Sequence, residues 1–371
     1  MDWICFTETF IVFILGWSIN AAILPRISLV SFRRRLFDQV NPRKIHTAPI
    51  PRLGGIAFFP CIVVSVSLVV VYNCIYIGKN ILNMDIATHL LSLFCSLFIL
   101  YLMGMMDDLI GVRYRSKFLI QLFSSILLAL SGLCFDSFYG LFGIYAIPKW
   151  IGLPLTVLII VFIMNAINLI DGIDGLASGL SIIAFLAFGC MFSVLRWWMY
   201  AFLAFSALGV LIPFFYYNVF GQVCRGRKIF MGDTGSLTIG LLLAVMAIRL
   251  SMVNEAKDTT FPGAIVISFS FLIVPMLDVV RVIIHRLRTR KNPFLPDKNH
   301  IHHKFMKLGM PQHQAMISIV SIAAVFAVVN VFAIHYISTT ALFLIDVLVW
   351  TVMHILITMR INKREGYLLR K

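Results

Sequence analysis

Charged residues are scarce in this chain. Only 13% of its 371 residues are Asp, Glu, Lys or Arg, whereas a soluble protein of this size carries about 25%. Hydrophobic residues make up 60%, and the mean hydropathy is +0.95. No stretch between the apolar runs is long enough for a large soluble domain. The composition excludes an ordinary soluble enzyme and predicts one integral-membrane domain over residues 1–371.

The chain also lacks paired cysteines and a basic leader. Its seven cysteines are scattered, mostly within apolar runs, and none forms a Cys-x-x-Cys pair. This spacing excludes a zinc ribbon and predicts no disulfide framework. The first residues include Asp2 and Glu8 but no basic segment, so we expect no cleaved signal peptide.

Apolar runs of about 20 residues, the length needed to cross a bilayer as a helix, recur along the chain. We place eleven of them near residues 8–29, 54–77, 86–106, 118–135, 150–168, 176–195, 198–217, 236–253, 263–284, 315–335 and 338–358. The predicted fold is an all-α polytopic membrane bundle of about 10–11 transmembrane helices.

Basic residues gather on one side of this predicted bundle. Joining the spans alternately assigns about 26 of the 31 Lys and Arg residues to one face. In a soluble domain the net charge of +15 would indicate nucleic acid, but here it follows the positive-inside rule and marks that face as cytoplasmic. The N-terminus is then outside and the C-terminus cytoplasmic. The predicted cytoplasmic loops cover about 30–53, 107–117, 169–175, 218–235 and 285–314.

The most unusual stretch is Asn165-Ala-Ile-Asn168-Leu-Ile-Asp171-Gly-Ile-Asp174-Gly-Leu176, which lies between two membrane-length runs. Its amides and carboxylates repeat every three residues, so on a helix they would lie side by side. Asp-Gly pairs are common in turns. A turn does not explain asparagines inside an apolar run, because buried polar groups are costly. We therefore predict a polar functional site.

Two further acidic motifs are expected at the same face. Asp107 and Asp108 end the third span, where the helix dipole disfavours negative charge, and a divalent cation or a transferred proton would relieve them. Alternatively, they are a solvated helix end. Gly232-Asp233-Thr-Gly-Ser236 opens the eighth span as an anion-binding helix start, in which Asp233 either caps the helix or holds a metal. Carboxylates beside a phosphate site suit Mg²⁺.

Histidines mark the long basic loop after the ninth span. His300, His302 and His303 stand among Arg and Lys residues, with no cysteine or acid at ligand spacing. Contacts to phosphate or sugar oxygens therefore suit them better than zinc does.

In their order along the chain, these motifs resemble the polyprenyl-phosphate N-acetylhexosamine-1-phosphate transferases. The resemblance covers about residues 41–303 and rests on Pro51-Arg-Leu-Gly-Gly55, Asp107-Asp108, Asn165–Leu176, Phe230-Met-Gly-Asp233-Thr-Gly-Ser236 and His300-Ile-His-His303. The His-Ile-His-His order is similar to the WecA/TagO branch. One departure is the longer link between Asn218 and Phe230, which puts the role of Asn218 in question.

The resemblance implies a reaction and its partners. A UDP-sugar, with N-acetylglucosamine as the default over its 4-epimer or an amino-deoxy sugar, reacts with undecaprenyl phosphate. The products are undecaprenyl-pyrophosphoryl-sugar and UMP, and Mg²⁺ is required, with Mn²⁺ as a substitute. The enzyme would lie in the bacterial inner membrane with its site facing the cytoplasm and would start a surface polysaccharide. A homodimer is the assembly it suggests, and no nucleic acid is expected.

The resemblance also implies residue roles. Catalytic roles fall to Asp107, Asp108, Asp171 and Asp233, with one of the adjacent pair as the base that deprotonates the lipid phosphate. The metal set is Asp233, Asn168 and Asp171. Nucleotide and sugar binding fall to Asn165, Asn168, Asp174, Phe230, His300, His302 and His303, with Phe230 stacking on uracil. Lys117 and Lys44 would bind phosphate, and direct attack is favoured over a covalent intermediate.

Two alternatives remain at this stage. The muramoyl-pentapeptide transferases of peptidoglycan synthesis belong to the same superfamily, but they usually carry three consecutive histidines. A transporter would also carry carboxylates within the membrane, but transporters commonly show internal repeats and midplane sites. This chain shows no repeat, and its polar motifs fall at one face.

Overall fold

The computed structural model describes residues 2–34, 36, 50–77, 83–223, 226–252, 263–292 and 299–368. These residues form a helical bundle, as the apolar runs predict. Its helices are α1 (Asp2–Arg33), α2 (Phe58–Tyr72), α3 (Met84–Ile110), α4 (Tyr114–Leu130), α5 (Lys149–Ile170), α6 (Leu176–Val194), α7 (Trp198–Phe220), α8 (Gly232–Ser251), α9 (Ala264–Ser270), α10 (Ile273–Arg288), α11 (Ile301–Lys307), α12 (Gln312–Ala333) and α13 (Thr339–Leu368).

Nine helical segments in this described part are long and apolar enough to cross a membrane, and a bent pair brings the number to ten. The eleven predicted spans each correspond to a helix or a bent pair, but two of them differ from the prediction. The fourth, predicted at 118–135, is the 17-residue helix α4, which ends at Leu130 before Ser131 and Gly132. At 1.5 Å per residue it spans roughly 25 Å, less than the roughly 30 Å hydrocarbon core.

The ninth predicted span is broken. Residues 263–284 were expected to form one helix, but α9 and α10 meet at an angle of 79°. The two helices are separated by Phe271 and Leu272, and α10 begins just before Pro275. Proline is tolerated in the first turn of a helix but disrupts an interior, which is consistent with a helix restart here.

Helix α8 lies at the centre of the bundle, and 94% of an apolar 18-residue stretch of it is buried. Glycines allow neighbouring backbones to approach it closely. A Cβ on Gly104 of α3 would lie 2.5 Å from Cα of Thr234, and one on Gly55 would lie 2.2 Å from Cα of Gly235. Small residues permit this close packing in membrane bundles. The start of α8 is therefore held against both α3 and the turn Leu53–Ala57.

The helix ends that carry the polar motifs lie together. Helix α3 ends at Ile110, α5 ends at Ile170 and α8 begins at Gly232, four residues before its predicted start. Helix α5 packs against α8, and α3 packs against both α4 and α8. The motifs predicted to converge are thus brought to one end of the bundle.

The six cysteines in the described ranges are all free thiols. Asp346, alone in the last span, accepts a hydrogen bond from Asn330 Nδ2 at 3.0 Å. An amide partner within the bundle is what a buried carboxylate requires.

Candidate active site

Lys117 joins the two acidic motifs. Its Nζ lies 2.5 Å from Asp107 Oδ2 and 2.6 Å from Asp233 Oδ2. Asp107 Oδ1 also accepts the backbone N–H of Val112 at 2.7 Å, within the turn after α3. All three charged side chains are partly buried, so their attraction is screened less than at an open surface. Residues on α3, α4 and α8 therefore form one charged cluster.

Asp108 holds the start of α8. Its carboxylate accepts the backbone N–H groups of Asp233 and Thr234 at 2.8 and 2.9 Å and the Thr234 hydroxyl at 2.6 Å. A carboxylate at the positive end of a helix is favourable and satisfies N–H groups that lack helical partners. Capping was one reading of Asp233, but the capping carboxylate comes from Asp108 on another helix.

Gly232 makes this contact sterically feasible. Its φ is +70°, a region that favours glycine, and an added Cβ would lie 2.2 Å from the Arg52 carbonyl oxygen and 2.5 Å from Asp108 Oδ2. A side chain here would therefore push Asp108 away from α8.

The two asparagines of α5 point to different helices. Asn168 Nδ2 donates to Ser236 Oγ at 2.8 Å and to Asp233 Oδ1 at 3.3 Å. Asn165 Nδ2 instead donates to Gln121 Oε1 in α4 and to the Val161 carbonyl, both at 2.8 Å. Asn168 thus belongs to the charged cluster, whereas Asn165 lies outside it and joins α5 to α4.

Asp171 lies just past the end of α5. Part of its side chain is exposed to water, but many protein atoms lie around its carboxyl group. Burial raises the pKa of its carboxyl to about 7, and the negative charges of Asp233, Asp174 and Asp108 add to the rise. Arg52 acts in the opposite direction. Asp171 is therefore electrostatically part of the same recess.

Asp174 lies on the other side of this loop and is paired with Lys228, whose Nζ lies 2.5 Å from Oδ2. Lys228 belongs to the extended link after α7. Asn218 fixes the base of the link, because its Oδ1 accepts the Gly175 N–H at 2.6 Å and its Nδ2 donates to the Ile229 carbonyl at 2.9 Å. Asn218 therefore positions the link after α7 against the loop that contains Asp174.

Phe230 is held by its backbone. Its N–H donates to the Pro51 carbonyl at 2.8 Å, and its carbonyl accepts the Gly54 N–H at 3.0 Å. The side chain is half-buried. The glycine motif Pro51–Gly55 and the Phe230–Ser236 motif, far apart in sequence, therefore support each other.

The histidine segment is attached to α10. His300 Nδ1 lies 2.8 Å from Asp278 Oδ2, and Asp278 Oδ1 accepts the Ile301 N–H at 3.0 Å. Arg281 donates to Asp278 at 2.8 Å and to the Asn299 carbonyl. The pair with Arg281, three residues along the same helix, accounts for only part of these contacts. Asp278 is a positioning residue that sequence spacing did not reveal.

His302 reaches the central loop. A Cβ on Gly172 would lie 2.3 Å from His302 Nε2, so the ring lies directly on this glycine. The rings of His300 and His302 are parallel with centroids 5.9 Å apart, and the ring of His303 follows at 4.2 Å. Burial, followed by the neighbouring histidines, lowers the pKa of His302 to about 3. The imidazole is therefore neutral near pH 7.

A divalent cation fits the donor set at α3 and α8. Carboxylate oxygens of Asp107, Asp108 and Asp233 lie within 4.8 Å of one another. Hard oxygen donors of this kind suit Mg²⁺. Asp108 is already engaged by α8, so Asp107 and Asp233 are the more available ligands. Of the predicted set Asp233, Asn168 and Asp171, only Asp233 belongs to this trio.

Three contributing residues were given no role in the site by the sequence analysis. Gln121 and Ser236 bind the asparagines of α5, and Arg52 faces Asp171. Only Arg52 and Ser236 stand within recognised motifs. Lys44, predicted to bind phosphate, lies outside the described residues.

Comparisons with known proteins agree with this geometry. Residues 90–251, which include most of α3 and all of α5 and α8, match the profile described as glycosyl transferase family 4. A probable undecaprenyl-phosphate N-acetylglucosaminyl 1-phosphate transferase of Bacillus subtilis is 32% identical over 86% of this chain and 83% of its own length. The undecaprenyl-phosphate alpha-N-acetylglucosaminyl 1-phosphate transferase of Escherichia coli K12 is 29% identical over 80% and 76%. The one from Yersinia pestis is 28% identical over 81% and 78%.

The similarity to the Bacillus subtilis protein extends over most of both chains, and the matched region contains the Lys117 cluster. The chain is a multi-pass membrane protein and a sugar-phosphate transferase. It belongs to glycosyl transferase family 4, among the polyprenyl-phosphate N-acetylhexosamine-1-phosphate transferases.

Proposed function

We propose that this protein transfers N-acetylglucosamine 1-phosphate from UDP-N-acetylglucosamine to undecaprenyl phosphate. An oxygen of the lipid phosphate attacks the sugar-bearing phosphorus of the donor, the bond from that phosphorus to UMP breaks, and UMP leaves. The products are undecaprenyl-pyrophosphoryl-N-acetylglucosamine and UMP. Three relatives whose names state this activity support the assignment.

The observation that carries the proposal is the bridge from Lys117 to Asp107 and Asp233. Phosphoryl transfer needs positioning and neutralisation of charge more than covalent chemistry from the protein. A cation placed between two carboxylates at the start of a helix provides both, because α8 offers positive potential and Lys117 offers a movable ammonium group.

We also propose that the reaction depends on Mg²⁺, with Mn²⁺ as a substitute. Asp233 would hold the ion, with Asn168 orienting it and with Asp108 and Asp171 nearby, and Asp107 would lie beside the ion as the base. When bound, such an ion neutralises charge on the donor pyrophosphate. The excess of carboxylates over the single Lys117 supports this assignment.

The nucleotide half of the donor would lie near Asp174 and Phe230. Phe230 offers a ring for stacking on uracil, and Asp174 offers hydrogen-bond acceptors once Lys228 releases it. His300, His302 and His303 close over the sugar and pyrophosphate. Because His302 is neutral, it can donate and accept hydrogen bonds without adding charge.

The acceptor loses its remaining proton to Asp107 in this proposal. Both carboxylates of the Asp107–Asp108 pair were candidates for the base. Asp108 accepts three hydrogen bonds from α8, whereas Asp107 faces Lys117 and the gap toward Asp233. Direct attack by the lipid phosphate then needs no covalent enzyme intermediate.

The proposed setting is the bacterial inner membrane, with the site facing the cytoplasm. The basic residues predicted on that face and the water-soluble donor support this orientation. The product would start a surface polysaccharide, and a homodimer is the proposed assembly.

The decisive experiment is UMP release by the purified, detergent-solubilised protein. The assay supplies undecaprenyl phosphate and a panel of UDP-sugars, including the 4-epimer and UDP-muramoyl-pentapeptide, with and without Mg²⁺. We expect release that requires lipid, UDP-N-acetylglucosamine and metal, and that disappears in Asp233→Asn and Asp107→Asn. Release from the pentapeptide donor alone would replace the proposal with the peptidoglycan reaction, and metal-independent release would remove the Mg²⁺ assignment.

A further inference from the structure

A cavity of about 720 Å³ lies between α10, α11 and α13, and none of the site carboxylates lines it. One face of α10, from Leu277 to Arg288, lies opposite one face of α13, from Val347 to Asn362. On both helices the lining residues recur three or four positions apart along the chain, as expected of residues on a single helix face. The two faces are separated by the cavity instead of packing on each other.

The lining of this cavity is strongly basic. Six of the described side chains that line it are Arg, Lys or His, and none of these described side chains is Asp or Glu: Arg281, His285, Arg288, Lys304, Lys307 and His354. Burial, followed by the charge of Arg281, lowers the pKa of Lys304 to about 8. The cavity thus holds more positive charge than its own walls neutralise.

Two buried polar side chains of α13 face the cavity without hydrogen-bond partners among the described residues. His354 is 5% exposed and both of its ring nitrogens are unpaired, while Trp350 is 4% exposed and its indole N–H is unpaired. A buried donor without an acceptor is costly. The unpaired nitrogens are themselves buried, so each ring must rotate toward the cavity before it donates to an anionic oxygen there.

The remaining walls are apolar. Leu277 and Ile284 on α10 face Val347 and Ile355 on α13. A free inorganic anion would satisfy the basic residues but leave these walls in contact with water. A ligand with an acidic head and a hydrocarbon chain matches both parts of the cavity.

We propose that this cavity is a binding site for an anionic phospholipid of the surrounding bilayer, with its phosphate among the basic residues and an acyl chain along α10 and α13. Basic pockets between transmembrane helices are typical of such sites. This cavity is distinct from the proposed active site, and its occupant is a membrane component rather than a substrate of the transferase reaction.

The cavity is connected to the histidine segment. Arg281 donates to Asp278, and Asp278 binds His300. Lys304 donates to Thr358 Oγ1 at 2.9 Å, which joins α11 to α13. A lipid phosphate bound by Arg281 and Lys304 therefore stabilises the arrangement of α10, α11 and α13 around His300.

The test is direct lipid binding by native mass spectrometry of the full-length protein in detergent. Phosphatidylglycerol and phosphatidylcholine with the same acyl chains are titrated separately. The test variant is Arg288→Gln with Lys307→Gln, both exposed at the rim. The matched control is Arg360→Gln with Lys363→Gln, which removes two exposed cations of α13 that do not line the cavity.

We expect tighter binding of phosphatidylglycerol than of phosphatidylcholine, and a loss of phosphatidylglycerol affinity on the order of 10- to 30-fold in the test variant only. His354→Phe, which keeps a ring of similar size, should weaken phosphatidylglycerol several-fold.

Four results would overturn the proposal. The first is equal affinity for the two lipids, and the second is an equal loss of affinity in the control variant. The third is selective loss of undecaprenyl phosphate binding in the test variant, which would assign the cavity to the substrate. The fourth is binding of glycerol 3-phosphate, a probe without acyl chains, as tightly as phosphatidylglycerol. None of these measurements depends on UMP release, so failure here is separate from failure of the proposed function.

Discussion

The carboxylate of Asp108 accepts hydrogen bonds from both the backbone N–H and the hydroxyl of Thr234, 126 residues further along the chain. The contact places a negative charge at the positive end of α8 and joins that helix to α3. It also explains why two adjacent carboxylates occur together, because Asp108 holds α8 while Asp107 faces Lys117.

Removing the Thr234 hydroxyl should destabilise the protein. Thr234→Val keeps the shape of the buried side chain but deletes a charge-assisted hydrogen bond, which contributes about 1.5–3 kcal/mol. We expect a lower free energy of unfolding and slower UMP release, measured by denaturant titration and by the transferase assay.

The matched control is Thr238→Val, one turn further along α8. The Thr238 hydroxyl is buried too, but it donates only to the Thr234 carbonyl within its own helix. A loss of stability in Thr238→Val as large as that in Thr234→Val would show that the Asp108 contact contributes nothing special.

Replacing Lys117 should separate metal binding from turnover. In Lys117→Met the ammonium no longer occupies Asp107 and Asp233, so Mn²⁺, measured by electron paramagnetic resonance, should bind more tightly. UMP release should nevertheless fall on the order of 100-fold or more, because charge stabilisation in the transition state is lost. Lys149→Met, an exposed lysine at the start of α5, is the control. Weaker Mn²⁺ binding in Lys117→Met would contradict the bridging role.

His302 should make the protein sensitive to acid. Its pKa is lowered to about 3 in the folded state from 6.5, so its neutral form contributes stability that is complete above pH 6.5 and is lost as the pH falls toward 3. At pH 5 the loss amounts to about 2 kcal/mol, from 1.36 kcal/mol per pH unit. His302→Gln should therefore show a flatter dependence of unfolding free energy on pH between 7 and 4.

The exposed His313 provides the comparison for this measurement. We expect His313→Gln to retain the wild-type slope. If His302→Gln retains it as well, the imidazole of His302 is not held neutral by the fold.

Gly172 and His302 should behave as a coupled pair. The Cβ of Gly172→Ala would meet the imidazole at 2.3 Å, so the histidine segment has to move away from the central loop. We expect Gly172→Ala to raise the KM for the UDP-sugar and lower kcat/KM about tenfold, in line with the cost of small displacements in an active site.

In a His302→Ala background the same glycine substitution should have little further effect, because the clashing ring is absent. Additive losses in the double variant would place the cause elsewhere.

The helical bundle and the identity of its polar ends could be predicted from the amino-acid sequence. Bilayer thickness sets the length of each apolar run, and the cost of polar groups in such runs marks Asn168 and Asp107 as functional. Short polar motifs in their order along the chain were enough to indicate the family, because each occurs at a helix end where a ligand can approach.

Which of those residues act together depends on how distant helices pack against each other. The bridge from Lys117 to Asp233 joins residues 116 positions apart, and no local pattern distinguishes the role of Asp108 from that of Asp107. Asn165 and Asn168 are only three positions apart on α5, yet one bonds to Gln121 of α4 and the other to Ser236 of α8, because both helices pack against α5. The basic cavity beside α13 likewise depends on packing between distant segments, which periodicity within one helix does not encode.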